Sequence, residues 1–294
     1  MKNQLRTVAL LGLLSGLLIA ISYWVIGGLG GVVIGITLAA VTNLVSWYQS
    51  DKIALAAYRA QPVSFNQAPD LHRMVQRLCD RANLLMPGIY IVPSPAANAF
   101  ATGRDPEHAA VAVTEGILQT LPEDELEGVI AHELTHIANR DTLTQAVAAT
   151  LGGAIAMLAQ IVSYSLWFPA SRDGNRGANP LGLLLTIFLA PMAATIIQLA
   201  ISRTREFGAD AGAARITQNP RALARALQRL ESTARQLPIN ANPAFEPLLI
   251  VNSISSQFLG NLFSSHPPTQ ARVQQLLKLE QELPQSPSKF SFGR

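Results

Sequence analysis

The stretch Thr120-Leu121-Pro122-Glu123-Asp124-Glu125-Leu126-Glu127-Gly128-Val129-Ile130-Ala131-His132-Glu133-Leu134-Thr135-His136 decides how the rest of the chain is read. Its start carries the marks of a helix N-terminus. Thr120 and Glu123 match a capping box, Pro122 suits a first turn, and the acidic cluster favours the positive end of the helix dipole. About three turns further on comes His132-Glu133-x-x-His136. Residues four apart share one helix face, so the two imidazoles can bind a single metal ion. Glu133 then stands near the metal's open position, where it can act as general base on a bound water. Zinc suits such work, because it accepts three protein ligands with one open position and lowers the pKa of bound water to about 7. The bland alternative is a surface helix with two unrelated histidines.

A third ligand is required. The candidates are His72, His108, His266 and the acidic residues, and the strongest is Glu206 within Ser202-Arg203-Thr204-Arg205-Glu206-Phe207-Gly208-Ala209-Asp210. Glu206 and Asp210 are also four apart, so one can ligate while the other reaches the free ring nitrogen of a ligating histidine. Taken alone, the same segment reads as a surface ion pair between Arg203 and Glu206.

Around these motifs the chain is short of charge. Only 14% of its 294 residues are Asp, Glu, Lys or Arg, while 49% are hydrophobic and the mean hydropathy is +0.25. Roughly 25% charge is usual in a soluble protein, so disorder is excluded and a fully water-soluble globule is disfavoured. The single Cys79 excludes an intramolecular disulfide and a cysteine-rich zinc ribbon. With a net charge of +3 and no basic block, nucleic acid is not an expected partner.

The deficit is local. No charged residue occurs from Thr7 to Ser50, a run of 44 residues, which is long enough for two crossings of about 20 residues each. The Gly27-Gly28-Leu29-Gly30-Gly31 run reads as the turn between them. Two further uncharged stretches flank the polar loop Arg172-Asp173-Gly174-Asn175-Arg176. Four transmembrane helices in two hairpins are therefore expected, at 7–26, 29–48, 145–168 and 181–201. The basic residues place both termini on the cytoplasmic side of a cell (inner) membrane, in a multi-pass protein whose short loops face outward. Gly12 with Gly16, and Gly27 with Gly31 and Gly35, offer small-residue faces for helix packing.

The expected organisation is an N-terminal transmembrane hairpin (1–50), one half of a water-exposed domain (51–144), a second hairpin (145–202), the other half (203–282) and a disordered tail (283–294). Asp70 to Arg81 has Leu71, Met74, Val75 and Leu78 on one face and predicts an amphipathic helix. Residues 88–93, 98–102 and 110–114 predict strands of a small sheet. Asn219-Pro220 predicts the N-cap and first residue of a helix over 220–236, and a further helix is expected at 269–281. The topology is consistent with one metal site. Two crossings separate His136 from Glu206 and return the chain to the same side, whereas one or three would divide the ligands.

Four motifs in order, His132-Glu133-Leu134-Thr135-His136, the 202–210 segment, Asn98-Ala99-Phe100-Ala101-Thr102-Gly103 and His266-Pro267-Pro268-Thr269-x-x-Arg272, resemble the HtpX-type membrane zinc metalloproteases, relatives of the CAAX prenyl proteases. The resemblance runs over nearly the whole chain. It implies a mainly α membrane protein: four transmembrane helices plus a gluzincin-like metalloprotease domain with a small β-sheet. It implies one zinc ion per chain on His132, His136 and Glu206, with Glu133 as catalytic base and Asp210 holding His132. Asn98, Ala99, Phe100 and Ala101 would lie on an edge strand that takes substrate backbone by strand addition. His266 would stabilise the developing oxyanion, although a histidine before Pro-Pro also reads as a residue leading into a helix. Arg272 would pair with a buried carboxylate that the sequence leaves unnamed. The activity implied is a zinc metalloendopeptidase working in quality control. It would cut polypeptide substrates, misfolded or damaged membrane proteins, on the cytoplasmic side of the lipid bilayer. The competing class is a membrane scaffold or holdase with a closed structural metal site, which would have no need of a glutamate at position 133. Oligomeric state is not legible.

Overall fold

The computed structural model of the chain describes residues 2–26, 28–147, 203–236, 250 and 267–282. The spans expected at 145–168 and 181–201 and the tail at 283–294 lie essentially outside the described residues.

Two long helices, α1 (Lys2–Ile26) and α2 (Gly28–Ala57), form the first hairpin. The chain reverses at Gly28, whose φ of +57° suits a residue without Cβ. Of the small-residue faces, Gly31 and Gly35 bring α2 against the α1 backbone, where a Cβ would collide with Ser22 and Ile19. Gly12 and Gly16 instead face open space. Asn43 adds an interhelical bond, donating from Nδ2 to Ser15 Oγ at 2.9 Å. Gly28–Gln49 is long and apolar enough to cross a membrane, and it is the one such helix among the described residues. The helix does not stop at the charged pair Asp51-Lys52. It continues to Ala57, because Ala54, Leu55 and Tyr58 have a sheet to pack against.

That sheet has four strands, β1 (Gln61–Pro62), β2 (Gly88–Val92), β3 (Ala99–Gly103) and β4 (Ala109–Thr114), in the order β1-β2-β4-β3. β2 and β4 run parallel and the other pairs antiparallel. Both faces are covered, which is why β3 and β4 carry no polar alternation. Phe100, Ala110 and Ala112 turn toward α2, with the Tyr58 and Phe100 rings 4.9 Å apart. Ala99, Ala101, Val111 and Val113 turn to the main core. There they meet α3 (Pro69–Ala82), whose buried stripe is Leu71, Met74, Val75, Leu78 and Cys79. Burial pushes the Cys79 thiol up to about 11, aided by Asp80, and leaves it unreactive.

The helix start at residues 120–123 differs from the capping box expected. Thr120 is the last residue of a short helix, α4 (Glu115–Thr120), and its hydroxyl donates to Gly116 O at 2.7 Å. The cap belongs to Thr114, whose Oγ1 accepts from Ile117 N at 3.1 Å. Pro122, with ψ of 158°, occupies the N-cap position of α5 (Glu123–Ala138) and offers no side-chain cap. The acidic first turn does hold. Buried Glu125 accepts from Arg229 Nε at 2.8 Å and from Arg225 Nε at 3.3 Å, tying α5 to the helix that carries both arginines.

Among the described residues, three more helices belong to the domain: α6 (Arg203–Thr217), α7 (Pro220–Gln236) and α8 (Thr269–Glu282). Asn219 caps α7 as expected, its Oδ1 accepting from Ala222 N at 3.2 Å. Helix α5 is buried along most of its length and lies close to two neighbours through glycines. Gly128 meets Leu223 of α7, and Gly212 of α6 meets Thr135 of α5. The second contact sets how near α6 comes to the metal motif. Gly212→Ala would drive a Cβ into the Thr135 side chain, and overpacking of this kind costs about 1–3 kcal/mol. Thermal unfolding is expected to show that loss, and Thr135→Ala in the same chain is expected to recover part of it.

Candidate metal centre

Helix α5 presents His132, Glu133 and His136, all buried, and α6 presents Glu206 and Asp210, buried likewise. The two imidazole Nε2 atoms lie 3.2 Å apart. Glu206 Oε1 is 3.6 Å from His136 Nε2, and Oε2 is 3.7 Å from His132 Nε2. Ligands at about 2.0–2.1 Å on a tetrahedral zinc lie about 3.3–3.4 Å from one another, so this triangle fits a small cation. The outer bonds make the same point. Each ring has its Nδ1 on a carboxylate, His132 on Asp210 Oδ1 at 3.0 Å and His136 on Asp141 Oδ2 at 3.0 Å. With Nδ1 of each ring turned to a carboxylate, the two Nε2 atoms and the Glu206 carboxylate are the groups left to face one another, and these three residues are arranged to bind a metal ion.

Electrostatics agree. Burial and the neighbouring Arg272 both push the His132 imidazolium down, yet Asp210 and Glu206 outweigh them and lift it to about 9. Burial pushes the Asp210 carboxyl up, but Arg272 and His132 more than reverse it and hold it at about 2.

Arg272 supplies the countercharge. It is buried, and its Nε and NH2 reach Asp210 Oδ2 at 2.9 Å and Oδ1 at 2.6 Å as a fork. Asp210 is therefore the carboxylate partner that the sequence left unnamed. Arg272 NH2 also lies 3.3 Å from His132 Nδ1. Since that nitrogen carries the proton given to Asp210, the contact is a close approach of two donors and not a further hydrogen bond. Arg272 NH1 donates to Ile250 O at 3.2 Å, and Ile250 N donates in turn to Asn98 Oδ1 at 3.0 Å. Asn98 Oδ1 accepts from Ala99 N as well, at 2.9 Å. The start of β3 is thus joined to Asp210, and through it to His132, by one chain of polar contacts.

Glu133 is placed by β3. Its Oε2 accepts from Ala101 N at 2.8 Å. Burial raises its pKa, His132 and His136 lower it, and Glu206 raises it, with a net rise. A carboxyl lifted above its ordinary range is better matched to taking a proton near neutral pH. Phe100 turns its ring away from the site, toward Tyr58. Of the other ligand candidates, His72 sits on α3 against Ala68 O and the Phe65 ring, and His108 bonds Asp105 in an exposed turn. Neither reaches the cluster. His266 lies outside the described residues.

Asp141 was not anticipated. It reaches His136 because Arg140 adopts a left-handed conformation, φ 56°, just past α5, and the chain doubles back so that Asp141 N donates to His136 O at 2.9 Å. Thr142 then donates to Gly103 O at 2.8 Å, fastening the turn to β3. An acidic residue just beyond the second histidine was the available signal. Removing a carboxylate that orients a ligating histidine lowers metal affinity about 10–100-fold. Asp141→Ala is expected to show this in competition with a chelator while the metal-free fold persists.

The chain is similar to known proteins. The model of peptidase family M48 matches residues 66–280. The protease HtpX homolog of Nostoc punctiforme is 79% identical over 285 residues, covering 97% of this chain and 99% of that one. The protease HtpX homolog of Pyrococcus furiosus is 50% identical over 279 residues, covering 95% and 96%. Among solved structures, Ste24p of S. mikatae superposes with a TM-score of 0.50 at 20% identity, covering 82% of this chain and 57% of that one. That likeness is one of fold.

Proposed function

The chain belongs to peptidase family M48 as an HtpX-type protease, and on that premise we propose a membrane-anchored, zinc-dependent endopeptidase that cuts misfolded or damaged membrane proteins near the cytoplasmic face of the bilayer. The observation that carries the reading is the convergence of His132, His136 and Glu206 with a buried Glu133 beside them. A three-residue ligand set with an adjacent carboxylate suits catalysis, since a structural site is closed by a fourth ligand and needs no base.

A bound zinc ion supplies Lewis acidity to the peptide carbonyl and acidifies water. Glu133 takes the proton of the attacking water and hands it to the leaving amine. Its bond to Ala101 N fixes the carboxylate while it does so. Asp210 and Asp141 hold the two rings so that their Nε2 atoms face each other, where they would hold a metal ion. Among the described residues, β3 lies at an edge of the sheet. The amides of Ala99 and Ala101 reach side chains and not β4, and in an antiparallel pair N–H and C=O of one residue turn the same way. Their carbonyls turn to the side away from β4, and since Ala99 and Ala101 are buried a substrate strand running along β3 would displace what covers that edge. Asn98 serves in this scheme by shaping the strand, its side-chain oxygen being committed to Ala99 and Ile250. His266 is assigned the oxyanion role by resemblance.

Placement at the membrane follows from α2. The apolar stretch ends at Gln49, and the same helix runs along β3, with Arg104 5.4 Å over the Tyr48 ring and Tyr58 on Phe100. Ala101 lies three residues from Arg104, about 10 Å along a strand. Peptide bonds close to the bilayer are thus the natural substrates. The second hairpin, the cytoplasmic orientation and the domain boundaries near residues 50, 144 and 202 complete the proposal.

Glu133→Gln keeps the shape and removes the base. Loss of general-base help costs about 10²–10⁴-fold in rate. The purified variant is expected to lose cleavage of a membrane-protein substrate to that extent while binding one zinc by elemental analysis. Full activity would refute the role of Glu133, and loss of zinc would show that the residue only supports the site.

A further inference from the structure

Outside the α1–α2 hairpin, the large apolar side chains exposed among the described residues are Phe65, Leu85, Met86 and Leu277, with Phe65 and Leu85 54% and 61% exposed. The sheet register puts three of the four at one end of the domain. β2 begins at Gly88 opposite Ala110, and β3 ends at Gly103 opposite Ala109. Gly88 and Gly103 therefore mark the same end of the sheet. Leu85 and Met86 precede Gly88 by three and two residues. β1 runs antiparallel to β2, and Val63 N still donates to Ile89 O at 3.0 Å. Phe65, two residues later, leaves the sheet at the level of Gly88.

This end is the one that α2 brings to the membrane. Arg104, directly after β3, stacks on Tyr48, one residue before the apolar stretch closes at Gln49. Tyr58, the residue after α2, packs its ring on that of Phe100, deeper in β3, at a tilt. Helix and strand are thus antiparallel, and moving from Phe100 to Arg104 is moving toward the bilayer. Trp47 and Tyr48, 38% and 55% exposed, lie where interfacial aromatic residues gather. The start of β2 stands two strands from β3, about 10 Å to the side of that level.

We propose that Phe65, Leu85 and Met86 form an apolar tip that enters the interfacial layer of the lipid bilayer beside the end of α2. Lipid is the occupant because the tip shares its level with the point where the span leaves the membrane. Apolar side chains at the headgroup–acyl boundary bind by their buried area, and this contact would oppose tilting of the sheet about α2. The metal site, on the far side of β3 from α2, would then stay at fixed height over the membrane. The inference rests on the reading that α2 spans the bilayer.

The test uses the full-length protein in vesicles of phosphatidylcholine and phosphatidylglycerol. Cys79 is fully buried, so the unmodified chain serves as the labelling blank. Leu85→Cys and, separately, Phe65→Cys carry an NBD fluorophore, and quenching by lipids with a doxyl group high on the acyl chain is measured. Leu38→Cys, exposed within α2, reports on the span. Glu115→Cys, exposed and next to Thr114 at the opposite end of the sheet, reports on water. Quenching at 85 and 65 well above that at 115, together with quenching at 38, is the expected result. Quenching at 38 with none at 85 and 65 above the level at 115 would overturn the tip and leave the span. No quenching at 38 would overturn the span and the tip with it.

Discussion

Two imidazole nitrogens 3.2 Å apart, buried beside a carboxylate, are tolerable only because charge is arranged around them. Buried ionic groups cost several kcal/mol each unless paired and hydrogen-bonded. Here the pairing is continuous: Arg272 with Asp210, Asp210 with His132, and Asp141 with His136. Glu206 lies within 4 Å of His132, His136 and Arg272. The geometry of α5 and α6 follows from this requirement, and Gly212 permits the close approach that satisfies it.

The rest of the fold conveys that geometry outward. Ile250 and Asn98 link Arg272 to the start of β3, and Ala101 links β3 to Glu133. The opposite face of the same strand rests on α2 through Phe100 and Tyr58. One five-residue strand therefore touches Glu133 and packs against α2, and its first residue is joined to Asp210 through Asn98, Ile250 and Arg272. Burial on both faces keeps it in place. Each of its residues is buried.

Much of this was legible in the sequence, and the parts that were not share a cause. The stripe of α3, the three longer strands and the Asn219-Pro220 start of α7 follow local rules of period and capping. The metal motif does too, because residues four apart on a helix meet wherever the helix goes. What failed was what depends on distant or irregular partners. Thr120 and Glu123 have capping-box spacing, yet Thr120 already closes α4 and Pro122 takes the cap position. β1 is two residues long and has no pattern to read. Asp210 is the partner of Arg272 across 62 residues of chain, and Asp141 depends on a left-handed Arg140 that its residue type does not announce. The continuation of α2 past Asp51 and Lys52 is a tertiary effect, set by a sheet that the helix itself cannot signal.

The central claim is a single cation held jointly by His132 and His136 of α5 and Glu206 of α6. X-ray absorption at the zinc edge, on the full-length protein loaded with one equivalent, tests it most directly. Two imidazole nitrogens at about 2.0–2.1 Å with oxygen completing the shell are expected, and Glu206→Ala should remove or visibly change the oxygen contribution. A shell containing sulfur, one with three or more imidazoles, or a spectrum unaltered by Glu206→Ala would contradict the claim.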